Sequence, residues 1–468
     1  MNLTRRRFLK SSLAVSALAA LSPAFRVAHA ADGFTEITAG VSKEKLFRGE
    51  APLSDLWTYD SQTPGPEIRV KRGERVRVRL INRLEEPTTI HWHGIRLDNA
   101  MDGVPGLTQE AVQPGESFDY DFAAPDAGSF WYHAHNKSWD QVARGLYGPL
   151  IVDEPEEVVD RAHDLTLMLD DWRLNREGVL DVESLGSIMD WSHAGRLGNW
   201  MTVNGEYPRE YSLNAGETYR LRLINAANAR VLEIDPARFG AMIAALDGQP
   251  LADPADAGNG TLLLGPAQRL DLFLTPDAGK DLTLYDVAGG ESYPLVEFKV
   301  AGSPGRAATK TPRLQPNTLP EPDMANARRV PLHMTGGAMG GFSGLVYKGK
   351  ELGREDIRRT KQMWGMNGVA NLGEKPFFSA RRGETIIVET VNDTAFNHAM
   401  HVHGHHFRVI QRSEVHPVKG EPWRDTFMVG PRQRVKVAFV ADNPGKWLLH
   451  CHMLEHAAAG MNSWFEVA

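Results

Sequence analysis

A single cysteine, Cys451, stands among 468 residues. A lone thiol closes no intramolecular disulfide, so a disulfide scaffold is excluded and Cys451 is either a free thiol or a ligand. Long apolar runs are missing too. Past the N-terminal leader no segment approaches the ~20 consecutive apolar residues of a membrane span. A net charge of −7 has the wrong sign for a nucleic-acid binder. With 44 Gly and 28 Pro the chain is rich in turns, which favours an all-β fold over long helices. The length exceeds one ordinary core, and roughly two to four domains are expected.

The N-terminus carries an address. Thr4-Arg5-Arg6-Arg7-Phe8-Leu9-Lys10 precedes a short apolar run over residues 13–24 and then Ala28-His29-Ala30. Basic, apolar and A-x-A segments in that order form a cleavable signal. Paired arginines before Phe-Leu-Lys mark it as a twin-arginine signal. Residues 1–30 are therefore expected to direct the folded protein through the twin-arginine export machinery to the periplasm.

What is present is a repeat. Gly73-Glu74, Gly216-Glu217 and Gly383-Glu384 each start an alternating run that closes on an asparagine, Asn82, Asn225 and Asn392. Alternation of this kind is the pattern of a half-buried strand. Eighteen residues past Gly73 and Gly383 stand His91-Trp92-His93-Gly94 and His401-Val402-His403-Gly404. Five residues past Gly128 and Gly445 stand His133-Ala134-His135 and His450-Cys451-His452. The middle copy has no histidine at either place: Ile234 follows Gly216 by eighteen, and Leu284-Tyr285-Asp286 follows Gly279 by five. The expected architecture is three Greek-key β-sandwiches at 31–155, 156–310 and 311–468. The middle one is a spacer, and an extended connector runs from Gly302 to Pro322.

On a strand, residues two apart face one side. His91/His93, His133/His135, His401/His403 and His450/His452 thus give four pairs of imidazoles on strand faces, two from the first copy and two from the third. Eight imidazoles exceed the four ligands of a tetrahedral zinc and suit three copper ions. Cys451 points to the other face, where His456 and Met461 follow it in sequence and His398 precedes the third pair. A thiolate, imidazoles and a distant thioether are the ligands of a blue-copper centre. Ala134 and Thr88 occupy the first-copy positions of Cys451 and His398, so only the third copy can build that centre. Four one-electron coppers match the four electrons that reduce O₂ to water.

These motifs resemble those of the multicopper oxidases, the laccase and cuprous-oxidase family of three-cupredoxin-domain enzymes, over the whole mature chain. The family pattern His-x-x-His-x-His stands as His398-Ala399-Met400-His401-Val402-His403. The resemblance implies a type 1 copper on His398, Cys451, His456 and axial Met461, and a type 2 copper on His91 and His401. It also implies two type 3 coppers, one on His93, His133 and His452 and the other on His135, His403 and His450. Asp102, where relatives carry an acid, is expected to relay protons near the type 2 copper. Many bacterial relatives carry a glutamate where this chain has Ala457, and Glu455 is expected to point elsewhere.

His405 and His406 are expected to be structural, His163, His193, His333 and His416 ordinary loop residues, and Trp92, Trp131 and Trp447 core aromatics. Met334, Met339, Met363 and Met366 form only a sparse version of the methionine-rich insertion of cuprous oxidases. The favoured reading is therefore a laccase-like oxidase of phenols or aromatic amines with O₂ as acceptor. Oxidation of Cu(I) or Mn(II) is the runner-up, and the layout also resembles a bacterial branch associated with manganese. An exported copper-binding or structural protein of the same fold is the alternative from another class. A monomer is expected, since one chain supplies both halves of the site.

Overall fold

The computed structural model describes residues 33–47, 50–207, 209–302, 311–340, 344–413 and 416–468. The expected signal at 1–30 lies outside the described residues. The chain is all-β, with three sandwiches in sequence order. The first packs a four-stranded sheet on another four-stranded sheet, and the second and third each combine a six-stranded with a five-stranded sheet. Among the described residues the longest helix, Arg354–Thr360, has seven residues, and none is long and apolar enough to cross a membrane.

Each Gly-Glu turn opens a strand in the middle of a sheet. Arg75–Asn82, Tyr219–Asn225 and Glu384–Asn392 run parallel to the first strand of their sandwich, respectively Thr35–Glu44, Asp164–Trp172 and Arg328–Gly336. On the other side they run antiparallel to Ser117–Ala123, Arg269–Leu274 and Arg434–Ala441. Their alternation sends Val76, Val78 and Leu80, Leu221 and Leu223, and Ile386 and Val388 into the three cores, each at most 1% exposed.

The closing asparagine does the same work three times. Asn82 Nδ2 donates to Glu86 O and Val112 O, Asn225 Nδ2 to Arg230 O and Leu264 O, and Asn392 Nδ2 to Phe396 O and Val429 O. Each Oδ1 accepts the backbone N–H two residues on, from Leu84, Ala227 and Thr394. One buried amide thus satisfies the backbone groups of the turn that leaves the strand, groups that would otherwise be costly to bury.

Buried charge joins the sandwiches. Arg220 donates to Glu154 and Asp271, and Arg222 donates to Asp164 and to Ser129 Oγ, which itself donates to Asp271 at 2.7 Å. Burial alone would raise the Asp164 carboxyl, but the Arg222 guanidinium overrides it and holds it well below the usual carboxylate range. Residues 311–323 carry neither helix nor strand. They are pinned where Asn317 exchanges two hydrogen bonds with the Ala127 backbone.

Candidate metal centre

Strand register gathers the histidines. Ile90–His93 pairs antiparallel with Gly128–Ala134 so that His91 faces His133. His398–Val402 pairs with Gly445–Cys451 so that His401 faces His450 and Met400 faces Cys451. The two strand pairs then meet. His93 stacks on His401 with ring centroids 3.7 Å apart, and His91 lies 3.9 Å from His403. Three trios result: His91, His93 and His401; His93, His133 and His452; His135, His403 and His450. Within each, the nitrogens that could hold a metal lie within 4.8 Å of one another. All eight residues of the four pairs are brought together.

Which nitrogen faces the cluster is set by what the other touches. His91 Nδ1 is 2.8 Å from Asp102 O, His401 Nδ1 2.9 Å from Asp425 O, His133 Nδ1 3.1 Å from Ala134 O and His450 Nδ1 3.0 Å from Cys451 O. A carbonyl only accepts, so each of these nitrogens donates and the opposite Nε2 carries a bare lone pair. The Nε2 atoms of His91, His135, His401, His403 and His450 and the Nδ1 atoms of His93 and His452 are buried without a hydrogen-bond partner. His133 Nε2 faces His452 Nε2 at 3.3 Å. Burial and the neighbouring imidazoles hold His93, His133, His135, His401, His403 and His452 well below the usual histidine range. Neutral rings aiming unpartnered acceptors at one another in a dry interior are costly unless a cation takes up the lone pairs. The donor set fits copper, for which imidazole is a preferred ligand.

Across the strand from His450 and His452, Cys451 Sγ lies 3.6 Å from His398 Nδ1 and 3.9 Å from His456 Nδ1, and these two nitrogens are 3.1 Å apart. Their far sides are fixed. His456 Nε2 donates to His193 O at 2.6 Å. Thr394 Oγ1 donates to Asn392 Oδ1 and so accepts from His398 Nε2 at 2.9 Å. The asparagine that closes the repeat therefore also turns His398 toward the thiol. Burial pushes Cys451 up to about 12, so a thiolate here needs a cation beside it. Met461 is fully buried. Its N–H donates to His456 O and its carbonyl accepts from Cys451 N, each at 2.9 Å. Trp364 packs on both imidazoles, 5.2 Å from His398 and 4.4 Å from His456.

Two aspartates brace the larger cluster. Asp102 is 1% exposed. Its Oδ2 lies 2.9 Å from His403 Nδ1, and its Oδ1 has no hydrogen-bond partner. Gly103 (φ +79°) must be glycine, because a Cβ there would run into Ile90 O. Asp425 was not singled out in the sequence. It is fully buried, with Oδ1 3.2 Å from His93 Nε2 and its carbonyl at His401. Gly94 (φ +88°), the glycine after the first His-x-His, leaves room for it: a Cβ would meet Arg269 Nη2 and stand 2.6 Å from Asp425 Oδ2.

His405 and His406 are buried, and burial lowers each to about 4. His405 Nδ1 faces His403 O at 3.1 Å, and His406 Nε2 faces Gln249 Nε2 at 3.1 Å. Glu455 points away from the histidines, accepting from Asn228 Nδ2 and Arg196 N. Ala457 lines an open cleft that reaches His135 and His450. His163 and His333 pair with Glu217 and Asp393 near the surface. Trp92 packs among Tyr120, Phe122 and Tyr132, Trp131 packs 4.4 Å from His133, and Trp447 lies under Gly404. Met334, Met363 and Met366 are core residues at most 3% exposed, and only Met339 of the four reaches solvent, at 78%. Met189, outside every sequence motif, is 57% exposed.

Residues 41–157 and 350–468 match two different family profiles, each described as multicopper oxidase. The multicopper oxidase MmcO of Mycobacterium tuberculosis is 30% identical over 88% of this chain and 82% of its own length. A copper resistance protein A homologue of Pseudomonas syringae is 25% identical over 98% of both chains. The crystal structure of Lac15 from a marine microbial metagenome is 37% identical over 92% of this chain and 99% of its own, with a TM-score of 0.73. Family profile, full-length relatives and the converging histidines agree, and the chain belongs to the multicopper oxidase family.

Proposed function

We propose that the chain holds four coppers and couples one-electron oxidation of a donor to reduction of O₂ to water. The observation that carries this is the set of buried, partnerless imidazole nitrogens facing one another beside a separate Cys451–His398–His456 trio. His398, Cys451, His456 and Met461 would hold the type 1 copper, and His91 and His401 the type 2 copper. His93, His133 and His452 would hold one type 3 copper, and His135, His403 and His450 the other. Bound copper supplies one-electron redox chemistry and the binding of O₂.

The residues do the rest. Cys451 is bonded through the backbone to His450 and His452, which gives electrons a short covalent path between the two sites. Asp102, with one carboxylate oxygen on His403 and the other 3.3 Å from His91 Nδ1 but without a hydrogen bond, is placed to hand protons toward the cluster. The cleft past Ala457 brings water and small molecules to His135 and His450 without a carboxylate at that position.

For the donor, burial favours a metal ion over a phenol. His398 and His456 are fully buried, and the outer nitrogen of each is capped by Thr394 or His193, so a phenol cannot touch either ring. The cover is the short helix Ile188–Ser192. Ala338 N donates to Ser192 O at 2.7 Å, which ties the Met339 segment to that helix. Exposed Met189 and Met339 thus stand on two joined segments, one of which leads into the His193 carbonyl that holds His456, and soft thioethers select Cu(I). Cu(I) is the donor we assign.

The rest of the assignment is a monomer exported to the periplasm by its twin-arginine signal. The three sandwiches occupy 31–155, 156–310 and 311–468, with the trinuclear site between the first and third.

The test is O₂ uptake by copper-loaded mature protein with Cu(I), Mn(II) or a simple phenol at matched concentrations. Preferential turnover of Cu(I), lost on replacing Met189 and Met339, is the expected result. Preferential turnover of the phenol returns the assignment to a laccase. No uptake with any donor at full copper content overturns the oxidase reading.

A further inference from the structure

The middle sandwich supplies none of the clustered histidines, yet its Arg269 reaches them. This side chain is fully buried. Its five N–H donors are all used. Nε donates to Ser129 O at 3.0 Å, Nη1 to Ala267 O at 3.1 Å and Asp425 Oδ1 at 2.9 Å, and Nη2 to Asp247 O at 3.0 Å and to Asp425 Oδ2. A guanidinium so held has one orientation, and it fixes the Asp425 carboxylate in turn.

Asp425 passes that orientation on. Its Oδ1 lies 3.2 Å from His93 Nε2, and its backbone carbonyl lies 2.9 Å from His401 Nδ1. Those two rings stack across the junction of the first and third sandwiches. The arrangement reproduces that of Asp102, whose carbonyl takes His91 and whose carboxylate takes His403. In each case an aspartate holds the histidine of its own sandwich by the main chain and that of the opposite sandwich by the side chain. They differ in one respect: Asp425 is bound to an arginine through both oxygens, whereas Asp102 Oδ1 has no hydrogen-bond partner.

We infer that Arg269 and Asp425 are a positioning pair through which the middle sandwich sets the orientation of His93 and His401, and with it the metal affinity of the trinuclear site. The inference rests on the copper assignment proposed above. A carboxylate behind a ligating histidine fixes its tautomer and ring orientation, and losing such a partner weakens metal binding about 10–100-fold. Lysine at 269 keeps a cation but has three donors instead of five and no planar fork, so it cannot hold both oxygens of Asp425 and the three carbonyls together. Asp102, free of an arginine, remains available for proton transfer, and the two aspartates thereby divide relay from positioning.

The experiment uses full-length mature protein reconstituted with copper and compares Arg269→Lys, the double variant Arg269→Gln/Asp425→Asn, and the control Arg220→Gln/Asp271→Asn. The control removes another buried pair, Arg220 and Asp271, which hydrogen-bonds to Glu154 and Ser129. Copper per chain, the blue absorption and the type 2 electron paramagnetic resonance signal are measured, and melting curves of the metal-free proteins check the fold. The Arg269 variants are expected to keep the blue absorption while the type 2 signal shifts and copper at the cluster binds about 10–100-fold more weakly. The control is expected to lose stability with unchanged spectra. A folded Arg269→Lys protein with wild-type copper content and an unchanged type 2 signal overturns the inference, and so does a control that disturbs the spectra equally. Wild-type protein that takes up no copper instead overturns the assignment on which the inference rests.

Discussion

Asp102 joins two sandwiches through a single residue: its carbonyl lies 2.8 Å from His91 Nδ1 and its Oδ2 lies 2.9 Å from His403 Nδ1. The second bond spans 301 residues of sequence, so the register of the third sandwich against the first is partly set by a carboxylate. The other oxygen, Oδ1, is buried without a hydrogen bond, 3.3 Å from His91 Nδ1.

Asp102→Asn keeps the shape and the acceptor for His403 but cannot carry a proton. Reduction of the blue centre by donor in the absence of O₂ should proceed at the wild-type rate, because Cys451 and its partners are untouched. Reoxidation by O₂ should slow by about 10²–10⁴-fold, the usual worth of a positioned acid or base. Stopped-flow absorption of the blue band separates the two steps. Equal slowing of both would show that Asp102 shapes the site and does not relay protons.

Trp364 is fully buried against the outer imidazoles, and its Nε1 donates to Trp191 O at 2.6 Å. Trp364→Ala removes this packing and should cost about 3–5 kcal/mol of stability in urea unfolding. It also uncovers the ring faces of His398 and His456. The ratio of phenol to Cu(I) turnover should therefore rise, even as the protein weakens. An unchanged ratio would mean that burial of these rings does not select the donor.

Much of this was legible in the sequence because the repeat is covalent. The Gly-Glu starts, closing asparagines and matched spacings depend on neighbours in the chain, and they led to the β-sandwich fold and to the eight histidines of the four pairs. The missed residues act across sequence distance. Asp425 sits before an apolar strand like many strand-flanking aspartates, and only its approach to His93, 332 residues away, gives it meaning. Arg269 lies in the sandwich that supplies none of the clustered histidines, and His193 contributes a backbone carbonyl, which no side-chain pattern records. The methionines misled for a related reason. Met334, Met363 and Met366 fall on core faces, while Met189 owes its importance to a segment folded against it from nearly 150 residues downstream.

His416 gives a pH dependence away from the metal-binding rings. Burial lowers it to about 3, with Arg424 and Arg412 adding to the effect, and its Nδ1 accepts from Val418 N at 3.1 Å. The unfolded chain protonates this ring near pH 6.5 and the folded chain does not, so the unfolded state binds more protons and stability falls as pH falls. The loss begins near 6.5, grows until about pH 3 and reaches roughly 3–5 kcal/mol for this ring. In metal-free protein, His416→Gln should flatten the dependence of urea unfolding on pH between 6.5 and 4. A slope identical to wild type would place the proton uptake elsewhere.

Gly94 and Gly73 share φ +88° but not their surroundings. At Gly73 a Cβ meets nothing within 4 Å, so Gly73→Ala carries only the backbone cost of the left-handed region, roughly 1–2 kcal/mol. At Gly94 the same methyl must displace Arg269 Nη2 and Asp425 Oδ2, and it stands 3.0 Å from Phe130 Cδ1. Neither partner can retreat, because the guanidinium is held by three carbonyls and the carboxylate by the guanidinium. Gly94→Ala should therefore destabilise the protein by roughly 1–3 kcal/mol more than Gly73→Ala, the usual cost of overpacking. It should also lower copper content at the trinuclear cluster while leaving the blue absorption in place. The two variants share one backbone penalty, so the difference between their urea midpoints and copper contents isolates the contact with the Arg269–Asp425 pair. Equal behaviour would mean that the glycine after His93 is needed for its backbone conformation alone.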